Sequence, residues 1–224
     1  MNKISGNIVL PSLQSTGFAK SRANFTQYHL LAAQNAAFTA NEIENKYKSG
    51  GPSQKDLDFY LSQVSTAIIC SVAALESNIN EYLIDHEKHI DKAPAISDPK
   101  LLKKYTFNKN KLSSQLRQST NIIFKYDLIW FITKNDLLAE NDIKRNIRYL
   151  TRLRNGLTHF TPEWDNNLLK HVKLEKNRQN RFTLSPFYAP GGLFFPYRCL
   201  SASCAMWSCK VSNEFIELFK SIIR

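Results

Sequence analysis

Apolar positions in this chain recur mainly at three- and four-residue spacings, the period of a helix buried along one side. The longest series is Leu57, Leu61, Val64, Ile68, Val72, Leu75, Ile79 and Leu83, about seven turns without a break. It predicts a long helix opening at Ser53, which with Asp56 makes a suitable N-cap. Upstream, Phe25, Tyr28, Ala32, Ala36, Ile43 and Tyr47 place apolar groups on one side of a helix over 25–48. Gly50, Gly51 and Pro52 end it. After a break at 93–99, a third helix runs through Leu112, Leu116, Ile123, Tyr126 and Trp130. A fourth carries Ile143, Ile147, Leu150, Leu153 and Leu157, and the last runs from Leu200 through Cys204, Trp207, Val211, Phe215 and Leu218 to Ile222. Between these two, SPFYAPGGLFFPY predicts a short irregular or hairpin insertion near 181–197. The expected fold is therefore all-α. It is a single helical bundle of about five helices over 25–224, preceded by an N-terminal arm, 1–24.

Composition leaves that picture in place. Apolar residues make up 43% and charged residues 22% of the 224, as in an ordinary globular domain. No uninterrupted run approaches the roughly 18 apolar residues of a membrane span, and the first residues lack the apolar core of a signal peptide. The expectation is a cytoplasmic protein with no membrane partner. Cys199, Cys204 and Cys209 are spaced five apart, unlike the close pairs of zinc sites, and with Cys70 they read as core or surface thiols. Asp85 and His89 in DHEKH have a helical metal-ligand spacing, but more often such a pair is a solvated helix end. No metal or other cofactor is expected. No phosphate-binding glycine loop or serine hydrolase signature occurs.

Charge changes the picture more. Of a net +11, all is accounted for by residues 100–181, with 18 basic and 7 acidic side chains. From Lys100 to Tyr126 there are seven basic residues and no acidic one. Lys103, Lys104, Lys109 and Lys111 lie in that stretch. So polarised a charge points to a polyanion, nucleic acid before membrane, the alternative being a solvated basic surface.

The candidate chemistry lies in RLRNGLTHF, 152–160. On an ideal helix Arg148, Arg152, Asn155 and His159 fall within about 60° of one another, opposite the leucines. Thr158 adds a hydroxyl beside this cationic stripe. Arg154 stands about 140° from His159, at the edge of the apolar face. The two can converge only if the helix loosens at Gly156 or ends before His159, or if a second chain closes the site. A charge near the core requires a partner, and Glu76, bordering the stripe of the long helix with Asn80 one turn on, can supply it. Alternatively Glu76 points along the rim to water. His29, His86, His89 and His171 have no neighbours forming a catalytic set.

The R-N-x-x-x-H pattern of Arg154, Asn155 and His159, near a helix end in an all-α chain, resembles the HEPN superfamily. The long helix with ALESNINEYL and the aromatic final helix resemble it too. The resemblance covers residues 25–223 as architecture and six residues as motif. It implies a metal-independent endoribonuclease of the toxin or defence kind. The enzyme would be a homodimer whose motif helices line a shared cleft, with Arg154, His159 and Asn155 catalytic and a cognate antitoxin as a further partner. One subgroup carries a tyrosine two residues after the histidine. Here Phe160 and Thr161 follow instead, which puts that form of regulation in doubt.

The residue types suit the chemistry. RNA brings its own nucleophile, the 2′-OH; an imidazole exchanges protons near neutral pH, and a guanidinium binds phosphate oxygens through a planar fork. Two other classes stay open: a non-catalytic RNA- or nucleotide-binding module, and a helical interaction protein in which Arg154 and Asn155 only lock the fold.

Overall fold

The computed structural model describes residues 23–91, 116–119, 121–132, 142–160, 169–178 and 180–222. The lysines at 103, 104, 109 and 111, the predicted arm before residue 23, and Leu112 lie outside them. The fold is all-α. Among the described residues the α-helices are α1 (Phe25–Lys46), α2 (Gln54–Asp85), α3 (Glu87–Asp91), α4 (Ile122–Ile132), α5 (Asp142–Thr158), α6 (Leu169–Lys176) and α7 (Ala202–Ile222). A π-helical turn, Phe194–Arg198, precedes α7.

The long α2 is the axis of the bundle, packed against α1, α4, α5 and α7. It starts where the sequence places it: Ser53 Oγ accepts from Asp56 N at 3.2 Å. Val64, Ile68, Val72, Leu75, Ile79 and Leu83 are all buried, and Tyr60, Ala67 and Ala74 extend that face. Over 18 residues its mean hydropathy is 1.4, so length and composition alone would let α2 cross a membrane. The count of uninterrupted apolar residues misses this, because small polar residues such as Ser71 interrupt the run. In this fold α2 is the central helix of a bundle.

α1 lies antiparallel to α2. At its start Glu81 of α2 accepts from Thr26 N and Oγ1 at 3.2 and 2.9 Å. At its other end Glu44 meets Tyr60 Oη at 2.5 Å and accepts from Ala202 N at 2.9 Å. That carboxylate sits at the start of α7, where unpaired N–H groups favour negative charge. One glutamate thus ties three helices. Of the predicted inward face of α1, Ala36 is buried and Ile43 packs against the core, but the face is turned at its start. Ala33, Ala36, Ala37 and Ala40 are buried, whereas Phe25 and Tyr28 are exposed along with Leu31 and Phe38. Small side chains let two helices approach closely, so the seam of α1 is made of alanines and its aromatic groups are left outside.

The predicted third helix is broken. Leu116 and Arg117 belong to a short helical stretch, 116–118, and Asn121 then caps α4, its Oδ1 accepting from Phe124 N at 3.1 Å. The break separates the buried Leu116 from Tyr126 and Trp130, which join Phe215 and Phe219 of α7 in an aromatic cluster. The predicted insertion at 181–197 is irregular, with no strand among the described residues. It folds back over α5. Phe182 and Trp207 pack with Tyr149, and the Phe195 ring lies directly over Gly156.

Candidate functional site

α5 divides its side chains as the helical projection requires. Ile147, Tyr149, Leu150 and Leu153 are buried against α2 and α7. Arg152, Asn155, Thr158 and His159 are exposed, and Arg148 is half-buried. Thr158 is the last helical residue, yet His159 N still donates to Asn155 O at 3.0 Å, so the histidine stays in register with the stripe. Thr158 Oγ1 is turned to its own helix, donating to Arg154 O at 3.0 Å.

Arg154 points the other way. Its Nη2 donates to Glu76 Oε1 of α2 at 2.6 Å, with side chains 19% and 38% exposed. The Nε of the same guanidinium is buried without an acceptor. Asn80, one turn on, takes no part in that pair. Its Oδ1 accepts from Lys125 Nζ at 2.9 Å, and Lys125 also donates to Arg117 O at 3.2 Å. Burial pulls the Lys125 ammonium below its ordinary value, and the nearby Glu76 charge acts in the opposite sense. A polar seam of Glu76, Asn80, Lys125 and Arg154 therefore runs between α2, α4 and α5. Arg154 and His159 remain on different sides of α5 within one chain.

Sequence reasoning passed over Lys125, although a lysine in the apolar run IIFKYDLIWFI is itself a signal, since such a charge must find oxygen acceptors. It also passed over a cleft between α4 and α5. Asn121, Ile123, Phe124 and Asp127 of the α4 side and Arg148, Thr151 and Arg152 of α5 line a cavity of about 340 Å³. Asp127 lies 2.7 Å from Lys144 Nζ, an ion pair outside hydrogen-bond geometry. Lys144 in turn stands 5.8 Å from the Trp130 ring centre. The two arginines of the cleft, four residues apart, belong to the stripe that ends at His159.

Cys199 and Cys204 are buried and their thiols pushed up by desolvation, Cys204 more than Cys209 and Cys70, which are half-buried. All four are unbridged. Asp85 ends α2 and His86 caps it, so Asp85 and His89 do not share a helix turn. Among the described residues no group of three His, Cys, Asp or Glu side chains stands ready for a metal. No protein-family model, curated protein or solved structure matches the chain.

Proposed function

We propose that the protein is a metal-independent endoribonuclease of HEPN type. The observation that carries the reading is the exposed stripe Arg152, Asn155 and His159, held in register at the end of α5 with Arg148 on the same face. In this mechanism the 2′-OH attacks the adjacent phosphorus and its proton passes to an imidazole. The P–O5′ bond breaks, the 5′-oxygen takes a proton, and a 2′,3′-cyclic phosphate remains. Cations around the phosphate stabilise the charge that develops. His159 serves the proton transfers, Asn155 orients it or bonds a phosphate oxygen, and Arg148 and Arg152 bind the strand.

A two-fold dimer completes the site. With Arg154 and His159 on different sides of one helix, an isologous contact through α5 brings both pairs to one cleft, and two histidines supply acid and base. Toxin or defence roles and a cognate antitoxin belong to the same proposal.

The Glu76–Arg154 pair supports a second reading. There Arg154 is structural, locking α5 to α2, and the stripe binds RNA without cutting it. One labelled RNA separates the two. Under the first reading cleavage persists in EDTA, leaves a cyclic phosphate end and disappears in His159→Ala, whose fold and dimer are intact. Cleavage that requires a metal or survives His159→Ala removes the mechanism. RNA binding without cleavage in the parent protein favours the second reading.

A further inference from the structure

The cleft between α4 and α5 has the size and composition of a site for one nucleotide. At about 340 Å³ it reaches the lower range of small-molecule pockets, which begins near 300 Å³. Its lining combines what a nucleotide needs. Ile123 and Phe124 offer an apolar and aromatic wall for a base; Arg148 and Arg152, one turn apart, offer two guanidiniums for a phosphate. Asn121 and Asp127 add an amide and a carboxylate able to read a base edge. The cleft is not isolated from the stripe. Arg152 precedes His159 by seven residues on one face of α5, about 10 Å along the axis.

We propose that this cleft is a subsite for a guanosine nucleotide of an RNA strand, whose backbone continues along α5 toward His159. The inference rests on the reading of the α5 stripe as an RNA surface, but not on cleavage. Guanine is singled out by the carboxylate. Its N1–H and N2–H₂ are adjacent donors, and an ionised Asp127 is an acceptor only. Uracil and adenine each set an unprotonated acceptor, O4 or O2 and N1 respectively, on the same edge, where a carboxylate repels it. Lys144 Nζ stands 2.7 Å from Asp127 Oδ1, which is buried, so the base edge meets the other oxygen, Oδ2. Opposite it, an arginine or the Asn121 amide can donate to guanine O6 or N7.

Calorimetric titration of the full chain with 3′-GMP, 3′-AMP, 3′-UMP and inorganic phosphate tests this directly. The expected order is GMP first, with UMP and phosphate each weaker by about ten-fold or more. Arg152→Ala, an exposed position, should weaken all three nucleotides by about ten-fold and keep their order. Asp127→Asn should erase the preference for guanine while phosphate binding stays. Its fold is checked by helical circular dichroism, and Asn121→Ala offers a second route to the base edge if it unfolds. Equal binding of phosphate and GMP, no binding by any nucleotide, or an order unchanged in Asp127→Asn overturns the subsite. GMP binding with no RNA cleavage would leave the subsite standing and remove the ribonuclease. RNA cleavage without GMP binding would do the reverse.

Discussion

Gly156 is where residue-scale packing meets the candidate site. A Cβ there would stand 2.9 Å from Phe195 Cζ, inside any normal contact, and Phe195 is buried. Alanine is the better helix former by about 1 kcal/mol, but overpacking a rigid ring costs about 1–3 kcal/mol. Gly156→Ala should therefore lower stability, by up to about 2 kcal/mol in urea unfolding. An increase in stability would show that the ring moves away freely. The Glu76–Arg154 pair gives an asymmetric expectation. Glu76→Ala strands Arg154, already short of an acceptor at Nε, and removes the charge that favours Lys125. Arg154→Ala leaves only a carboxylate that is 38% exposed and can hydrate. The first should cost about 2–3 kcal/mol and the second about 1, with the double variant well short of their sum. Equal losses would assign the pair no special part in holding α5.

At the scale of elements, the seam of α1 is the sharpest case. Ala33 and Ala40 are fully buried while Phe38 is 64% exposed. Ala40→Leu should destabilise by about 1–3 kcal/mol and Phe38→Ser should stay within about 0.5 kcal/mol, read as thermal midpoints. The opposite order would restore the aromatic face as the buried one. That contrast also shows what the chain discloses before it is folded. α2 was legible because its large apolar residues repeat at one period and its cap is local, at Ser53 and Asp56. α1 was legible at Ala36 and Ile43 but not at Phe25 and Tyr28, because periodicity weighs size, whereas close helix contact selects alanine. The interruption between Leu116 and Tyr126, seen at residues 119 and 121, was missed because both are core residues, and an apolar pattern bridges a short break unnoticed. The stripe of Arg148, Arg152, Asn155 and His159 follows from helix geometry alone. The cleft above it needed α4 in place, and no local pattern encodes which element lies opposite.

For the whole molecule, alkaline pH is the informative stress. Burial raises the pKa of Cys199, Cys204, Tyr60, Tyr126 and Tyr149. Unfolded, such thiols and phenols ionise near 9.0 and 10.0, while the folded chain keeps them neutral. The folded state then holds more protons, so stability falls as pH rises through that window. Lys125 acts against this: folded, it releases its proton below the ordinary 10.5, and its contribution rises with pH up to that value. One lysine against five acids leaves a net loss. Urea midpoints should drop from about pH 9 upward, and a Cys199→Ala, Cys204→Ala variant should lose less between 9.0 and 10.0, where only the thiols of Cys70 and Cys209 are left to ionise. A parent profile flat to pH 10 would contradict this account. Charge makes a second whole-molecule expectation. RNA affinity should fall with salt by about 0.7 log units per neutralised phosphate per decade. Replacing Lys103, Lys104, Lys109 and Lys111 by alanine should flatten the slope. An unchanged slope would detach that cluster from RNA.

The ring of Phe195 over Gly156 has a consequence in time as well as in space. The last turn of a helix ordinarily frays within microseconds, independently of what the rest of the protein does. Here that turn carries Asn155 and His159, and its Gly156 side lies under Phe195, in a segment whose two ends are tied together: Ser185 N donates to Arg198 O at 2.8 Å, and Ser201 Oγ to Thr183 O at 2.6 Å. The amide of His159, bonded to Asn155 O, should then exchange its hydrogen with deuterated solvent in step with the lifting of the 181–200 segment. Both regions should show one common opening rate. Phe195→Ala would split them, with His159 exchanging faster while the Ser185 amide keeps its original rate.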